Sequence, residues 1–599
     1  MAAAPPPRWQ RCWLPASILL LLVALTLRVW GHNWDANQHL NADDMFVAKE
    51  VIKRVQWPTD PATLLDPQAS PLNPRRGGEF YVYGTLPLYL VRATVSLLTV
   101  VSGDRYFSGY DGILQTGRIL SATFDTLTLL LVGLVGWRLW GRWPGLLAAS
   151  FYAFAIVPIQ HSHFYIVDVF MTTFMTATLL CSLLYLYSPP PATPRLDGAK
   201  WLLLAGVAVG LAMACKVSAA PVAVLPLAAL LLRAGLSWRR VLGGGGLLLL
   251  GAVVAFALAD PYAVLDARSY LAVLSTQADI QNGVVDQWFS RKYVGTLPFF
   301  YLGGQAILLA VGPLVGLAGL AGAILVALRA VRERAAADWL LLLGAFGYFF
   351  SVAFVEIKWV RYLLPLTPYC CLFATALCVW LTPTLLPLSR AARRGIVGWV
   401  VAGVLLASAM VGAVAIMPIY LTTHTQIAAS QWLYANVPLG ARIGIETTTT
   451  GLPLPLPGHQ PAKEYKIVPF DPLADFPSPQ AATNLRDWLQ QSDYLVIDLT
   501  QADLTVPRLP WRYPVQARFY ALLKAGQLGF APLLTATSYP RIGGLSFADD
   551  GGWVDASFMD ASHPPIRIFY KQRSLTDSEW SGLFASAVQQ PSVASRRAP

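Results

Sequence analysis

Long apolar runs recur from Trp13 to about Tyr420 and then stop. They fall at residues 13–31, 119–139, 143–159, 167–187, 201–213, 217–232, 241–258, 299–328, 339–355, 362–383 and 397–418. Most approach the roughly 20 apolar residues that a helix needs to cross a bilayer. The pattern therefore predicts about 11 transmembrane helices. A further run, 86–101, is shorter and carries Pro87 and Arg92; it reads as an interfacial helix lying in or against the membrane. The first run ends Leu27-Arg28-Val29-Trp30 with no small-x-small cleavage site, so it reads as a retained anchor.

After residue 420 the pattern shortens and becomes globular. A helical period at 426–434 leads into a strand at 442–446. Ser478-Pro479 reads as a helix start, with Ser as N-cap. It opens a helix over 481–491, followed by a buried-strand pattern at 494–498. A helix at 517–524 is stopped by Gly526, and strands are expected at 531–536 and 566–570. Alternating helices and strands predict helices packed on a largely parallel sheet. The expectation is a transmembrane domain at 1–419 and a soluble extracytoplasmic α/β domain at 420–599. The Pro-rich start, 189–194 and 592–599 read as loops or frayed ends.

Composition agrees: 55% of residues are hydrophobic and 13% charged, too few charges to cover a soluble protein of 599 residues. The net charge of +11 would suit a nucleic-acid binder, but its placement argues for topology instead. Arg8, Arg11, Arg138, Arg142, Arg195, Lys200, Arg233, Arg239, Arg240, Arg329, Arg332, Arg334, Arg390, Arg393 and Arg394 cluster in short loops whose only acids are Asp197, Glu333 and Asp338. Short basic loops stay in the cytoplasm. The chain is thus expected as a multi-pass protein of the cytoplasmic membrane, with its N-terminus inside and a first external loop of about 32–118. No nucleic-acid partner is expected. The cysteines all lie in or beside apolar runs, and no disulfide framework or zinc spacing can be built from them.

With that topology every cluster of polar chemistry falls outside. The first external loop holds Asp43-Asp44. Adjacent carboxylates on an extended segment diverge, so one is expected to face a cavity and the other to cap a helix over 45–57. A carboxylate partly desolvated beside another gains proton affinity, which suits a general base; the plainer alternative is a helix cap with a solvated neighbour. The second external turn reads Gln160-His161-Ser162-His163-Phe164-Tyr165-Ile166-Val167-Asp168. His163 and Asp168 begin the next span and can face the same cavity as Asp43. Two histidines with one spacer are a weak metal signal, and the need for a divalent cation is left open. Polar residues at a helix end are the competing reading. Lys216, and Lys358 with Arg361 and Tyr362, put cations at the outer boundary against the orientation rule. An anionic phosphate is their natural partner, with lipid headgroups or Glu356 as the alternatives.

These features, in this order, resemble the GT-C superfamily of membrane glycosyltransferases, in its family 39-like, phospholipid carrier-dependent branch. Protein O-mannosyltransferases and the lipid A aminoarabinose transferase belong to the same group. The resemblance rests on the acidic pair, on Phe80-Tyr81-Val82-Tyr83-Gly84-Thr85-Leu86-Pro87-Leu88-Tyr89, and on Gly117-Arg118-Ile119-Leu120-Ser121. It continues through the His-Ser-His turn with Asp168, Lys216, and Arg361-Tyr362-Leu363-Leu364-Pro365-Leu366. The tail stretches at 435–441 and 563–569 are also similar. It implies a GT-C fold and an inverting transfer from a polyprenyl-phosphate sugar to a protein, lipid or glycan hydroxyl at the outer membrane face. Asp43 would be the base, with Asp44 and Asp168 as further catalytic acids. Lys216, Lys358 and Arg361 would bind donor phosphate, and His161, His163, Tyr83 and Tyr362 would line the substrate cavity. The chain departs from the family where Asp44 stands for a commoner Glu. It departs again at Thr85-Leu86-Pro87, which lacks a phosphate-binding Lys; Arg75 or Arg76 is the candidate replacement. Two alternatives stand beside this reading: a transporter or flippase of a lipid-linked or anionic substrate, and a glycan ligase or polymerase of related fold.

Overall fold

A computed structural model describes residues 12–188, 198–234, 237–384, 396–448, 451–548 and 552–594. Arg8, Arg11, Arg195, Asp197, Arg390, Arg393, Arg394, the Pro-rich start, 189–194 and the last five residues of 592–599 lie outside them. The chain divides into two compact units. One comprises residues 1–32, 42–278 and 298–417; the other comprises 33–41, 279–297 and 418–599.

The first unit is helical. Among the described residues, seven helices are long and apolar enough to cross a membrane, and a bent pair makes an eighth if it counts as one span. The chain is a multi-pass membrane protein. The runs beginning at Trp13, Trp201 and Val217, expected as spans, form apolar helices of 17 residues or fewer. The run at 86–101 also folds as a shorter helix, Leu86–Ser102, closed by Gly103 in the left-handed region.

Three runs expected as single spans are interrupted, each by a proline. The run at 143–159 becomes Arg142–Ala153 and Ile156–Ser162, bent by 59°. Pro158 would drive its ring into the carbonyl of Phe154, four residues back, and the helix breaks there. The run at 299–328 is divided at Gly312 (φ 85) before Pro313; a residue preceding proline is pushed out of helical geometry. The run at 217–232 begins as a 3₁₀ turn, Val217–Ala223, containing Pro221. Elsewhere, small residues bring helices close. A Cβ on Gly206 would lie 2.2 Å from the carbonyl oxygen of Leu248, between helices Ala199–Met213 and Trp238–Ala259.

Three of the basic positions predicted to share one side, Arg138, Arg142 and Arg233, stand at the same end of the helices. The Trp13 indole donates to the Arg142 carbonyl at 3.0 Å, and the Arg142 guanidinium lies 5.5 Å from the Trp137 ring. Arg138 donates to the Tyr187 carbonyl and Arg233 to that of Ser188. These gather at one end of helices Tyr110–Trp140 and Val167–Leu186. Asp168 and the groups around it stand at the other.

The second unit is built on a mixed sheet of β1 (Arg442–Glu446), β2 (Lys466–Phe470), β3 (Tyr494–Asp498), β4 (Phe530–Ala536) and β7 (Ile566–Lys571). A separate two-stranded ribbon is formed by β5 (Arg541–Ile542) and β6 (Leu545–Ser546). The sheet order is β2-β1-β3-β7-β4; the first three strands are parallel, while β7 runs antiparallel to both β3 and β4. The largely parallel sheet expected from the sequence is thus half antiparallel. β4 is followed by the β5–β6 ribbon and the short helix Ala556–Asp560 before β7, and β4 and β7 pair antiparallel. β2 was not foreseen because Pro469 breaks its pattern, which an edge strand tolerates. The helix expected from 481 is Ser478–Gln491. Its cap is Pro477, so Ser478 is the first helical residue, and its hydroxyl donates to the Gln590 carbonyl. Trp488, Phe519, Tyr513 and Phe584 fill the core between the sheet and its helices.

Candidate active site

The acidic pair opens helix Ala42–Lys53, placing both carboxylates in its first turn, where the helix dipole favours negative charge. Neither residue stands in the extended segment expected. Successive helical residues point about 100° apart, and the two side chains take unlike surroundings. Asp44 is fully buried. One of its oxygens accepts from Nε and Nη2 of Arg118 at 2.9 and 2.8 Å; the other accepts the Tyr165 N–H at 2.6 Å. Asp43 pairs with the Arg361 guanidinium, and its side chain remains 43% exposed against 13% for Arg361.

A second ion pair joins Lys216 to Asp168 at 2.9 Å, with Lys216 still 15% exposed and Asp168 closed off. Asp168 lies in the first turn of Val167–Leu186. Lys216 follows the end of Ala199–Met213, where the chain runs against the aromatic loop: the Gly84 N–H donates to the Cys215 carbonyl and the Leu86 N–H to that of Ala214. Only glycine fits there, since a Cβ on Gly84 would lie 1.9 Å from the Ala214 oxygen. This pairing sets the Tyr83 ring 5.5 Å from Lys216 Nζ; the Tyr362 ring lies 5.1 Å away on another side. Arg361 stacks on Trp359 at 5.2 Å.

The two pairs belong to one electrostatic neighbourhood. Burial pushes the Tyr83 phenol up, and the charges of Arg361, Asp43 and Asp168 all act on it. It stays protonated and available as a donor. The same three charges reach His161, whose Nδ1 is bonded to the Val157 carbonyl at 2.9 Å. That bond assigns the ring hydrogen to Nδ1 and leaves Nε2 as the acceptor.

Other sequence candidates are placed differently. His163 directs Nδ1 to the Ile159 carbonyl and Nε2 to that of Trp30, at 2.7 and 3.0 Å, so both ring nitrogens engage backbone. Lys358 is buried and donates to the Glu356 carbonyl at 3.0 Å. Arg75, the candidate replacement cation, lies on buried Asp260 at 3.4 Å. Among the described residues, no group of three or more His, Cys, Asp or Glu side chains is arranged to hold a metal ion.

Sequence reasoning gave no role to Arg118, Tyr165 or the buried Arg28–Asp125 pair. Arg28 donates to Asp125 at 2.5 Å and to the carbonyls of Tyr152 and Ala153 at 3.2 and 3.1 Å. Those carbonyls sit where the helix breaks, and the Tyr152 oxygen also accepts the Ala155 N–H at 3.2 Å. The available signal was a full charge at Arg28, Arg118 and Asp125 within apolar runs.

Fold and site together define a multi-pass membrane protein with an appended sheet domain and a cluster of two carboxylate–cation pairs flanked by aromatic rings. Residues 81–244 match the family described as dolichyl-phosphate-mannose-protein mannosyltransferase. That stretch contains Tyr83, Arg118, His161, Asp168 and Lys216, so the resemblance to GT-C glycosyltransferases is borne out there. Among solved structures, the chain is similar to the Archaeoglobus fulgidus oligosaccharyltransferase in its apo form, with 13% identity, 93% of this chain and 88% of that one covered, and a TM-score of 0.45. It is also similar to ArnT from Cupriavidus metallidurans in the apo state, with 14% identity, 94% and 97% covered, and a TM-score of 0.43. Among curated proteins compared by sequence, none matches the chain.

Proposed function

We propose that the protein is an inverting glycosyltransferase that moves a sugar from a polyprenyl-phosphate donor to an acceptor hydroxyl at the outer face of the cytoplasmic membrane. The observation that carries this reading is the part-open Asp43 carboxylate on Arg361, sharing its aromatic surroundings with the Lys216–Asp168 pair. The matched family, whose name specifies a lipid-phosphate sugar donor and a glycosyl transfer, supports it.

The chemistry follows from these groups. Breaking the bond between the anomeric carbon and the phosphate oxygen leaves charge on the phosphate, and cations already held in place stabilise that charge best. Arg361 can offer a planar fork and Lys216 a point charge. As Arg361 turns to the phosphate, Asp43 is released to take the proton of the incoming hydroxyl. The new bond forms at the anomeric carbon opposite the leaving phosphate, which inverts its configuration; the proton ends on Asp43 and polyprenyl phosphate departs. Asp168 keeps Lys216 charged and aimed, and Tyr83 and Tyr362 wall the cavity. Asp44 holds the base's helix in place through Arg118. The polyprenyl chain would lie between the apolar helices, and the C-terminal domain would be extracytoplasmic.

The test is reconstitution of the full chain in lipid vesicles with radiolabelled polyprenyl-phosphate sugars and an extract of acceptor glycans, lipids and proteins. Label should move to an acceptor with stoichiometric release of polyprenyl phosphate. Movement of intact donor across the bilayer without cleavage would overturn the reading in favour of a flippase.

A further inference from the structure

The second unit carries a cleft of about 470 Å³ that the proposed transfer does not use. One wall is the outer face of helix Thr425–Asn436, where Gln431 and Tyr434 stand one turn apart. The segment bearing Ala36 and Gln38 forms another wall, and Leu456 and His459 close it. The rings of Tyr434 and His459 stack with centroids 4.0 Å apart and planes at 17°. Tyr434 Oη donates to the Leu454 carbonyl at 2.8 Å, and His459 Nδ1 lies 3.0 Å from the Glu464 carboxylate. Both rings are thereby fixed in plane before any ligand arrives.

The wall at residues 36–39 is held in an unfavourable shape. Ala36 and His39 have φ of 49° and 55°, the left-handed region that non-glycine residues avoid. Such backbone is costly for residues other than glycine and tends to collect at binding sites.

The lining is selective in its chemistry. It presents two carboxamides, each both donor and acceptor, beside flat aromatic surface and small aliphatic groups. Among the described residues, its lining offers a phosphate no Lys or Arg, and a divalent cation no cage of carboxylates. A lipid chain would leave the two amides unpaired, at a cost. A sugar ring matches each element, with an apolar C–H face for the ring and equatorial hydroxyls for the amides. The volume suits a disaccharide-sized ligand. We propose that this cleft is a saccharide-binding site, separate from the Asp43 chemistry.

The test uses the full chain in lipid nanodiscs, with saturation-transfer NMR on maltose, mannobiose and N,N′-diacetylchitobiose and a Gly-Ser-Thr hexapeptide as comparison. At least one disaccharide should receive transfer. Gln431→Ala should weaken it roughly fivefold, the loss of about one neutral hydrogen bond, and Gln431→Trp should abolish it by filling the cleft. Gln431 is exposed on its helix, so both variants keep the fold. Asp43→Asn should bind saccharide like the unaltered protein even when transfer is lost, which separates this inference from the catalytic reading. Silence from all three disaccharides, equal binding by Gln431→Trp, or binding of the peptide alone would overturn it.

Discussion

Asp44 and Arg118 form a two-pronged ion pair wholly out of solvent, and the same carboxylate ties down the Tyr165 backbone. The pair thus joins three segments: the helix bearing Asp43, the long helix from Tyr110, and the turn before Asp168. Close packing supports it, since a Cβ on Gly117 would lie 2.4 Å from the Tyr165 ring. Removing one partner strands the other charge. Asp44→Ala or Arg118→Ala should each cost about 3–5 kcal/mol, read as a lower unfolding midpoint in nanodiscs. The double variant should lose less than the sum of the two. Additive losses would mean that the two groups act independently.

Asp43, one residue earlier, is expected to behave differently. Its side chain is part open, and water can replace Arg361 around it. Asp43→Asn should leave the unfolding midpoint unchanged while lowering transfer by about 10²–10⁴-fold, the usual contribution of a general base. Polyprenyl phosphate should bind at least as tightly, because Arg361 no longer has an internal carboxylate to satisfy. An active Asp43→Asn protein would remove it from the role of base.

Arg361 is the complementary probe. Arg361→Ala should weaken polyprenyl-phosphate binding by about tenfold to a hundredfold, matching the roughly 1.5–3 kcal/mol of a hydrogen bond to a charged group. The acceptor KM should change far less. Arg361→Lys should recover only part of the affinity, since an ammonium lacks the planar fork. Unchanged donor affinity in Arg361→Ala would assign the phosphate to other residues.

Most ends of the apolar runs were legible from hydropathy to within a few residues, although the helix expected from 119 begins at Tyr110, and the starts of β1, β3, β4 and β7 were legible to within one residue. The charges at one end of the bundle were legible because topology confines them to short loops. The breaks at Phe154 and Gly312 were not, although Pro158 and Pro313 were in plain view. Hydropathy registers length and apolarity, and a proline inside an apolar run changes neither. Asp43, Asp168, Lys216 and Arg361 could be singled out by their position at apolar boundaries, but their pairing could not, because partners such as Asp43 and Arg361 lie hundreds of residues apart. Arg28 and Asp125 escaped for the opposite reason. Each lies inside an apolar run and is neutralised there by the other, so neither marked a boundary. Their part in capping the broken helix exists only once it bends.

The second unit holds two buried groups that respond to pH in opposite directions. Burial, with the Asp560 charge adding, pushes the Asp498 carboxyl up to about 7, against the two hydrogen bonds it accepts from Thr500. Burial, with His424 adding, holds the His563 imidazole down to about 3. Unfolded, the two groups titrate near ~3.9 and ~6.5. A raised carboxyl contributes its stability fully below about 4 and loses it as pH rises through about 7. A lowered histidine contributes fully above about 6.5 and loses it as pH falls through about 3. Between about pH 4 and 6.5 the two slopes cancel, so the stability of this unit should be nearly flat there. Asp498→Asn should unmask a rise with pH across that window, and His563→Gln a fall, each at most about 1.4 kcal/mol per pH unit. Hydrogen exchange of the β3 and β7 amides in the full chain reads both. A flat profile in Asp498→Asn would show that the His563 imidazole is not held down in the folded protein, and a flat profile in His563→Gln that the Asp498 carboxyl is not pushed up.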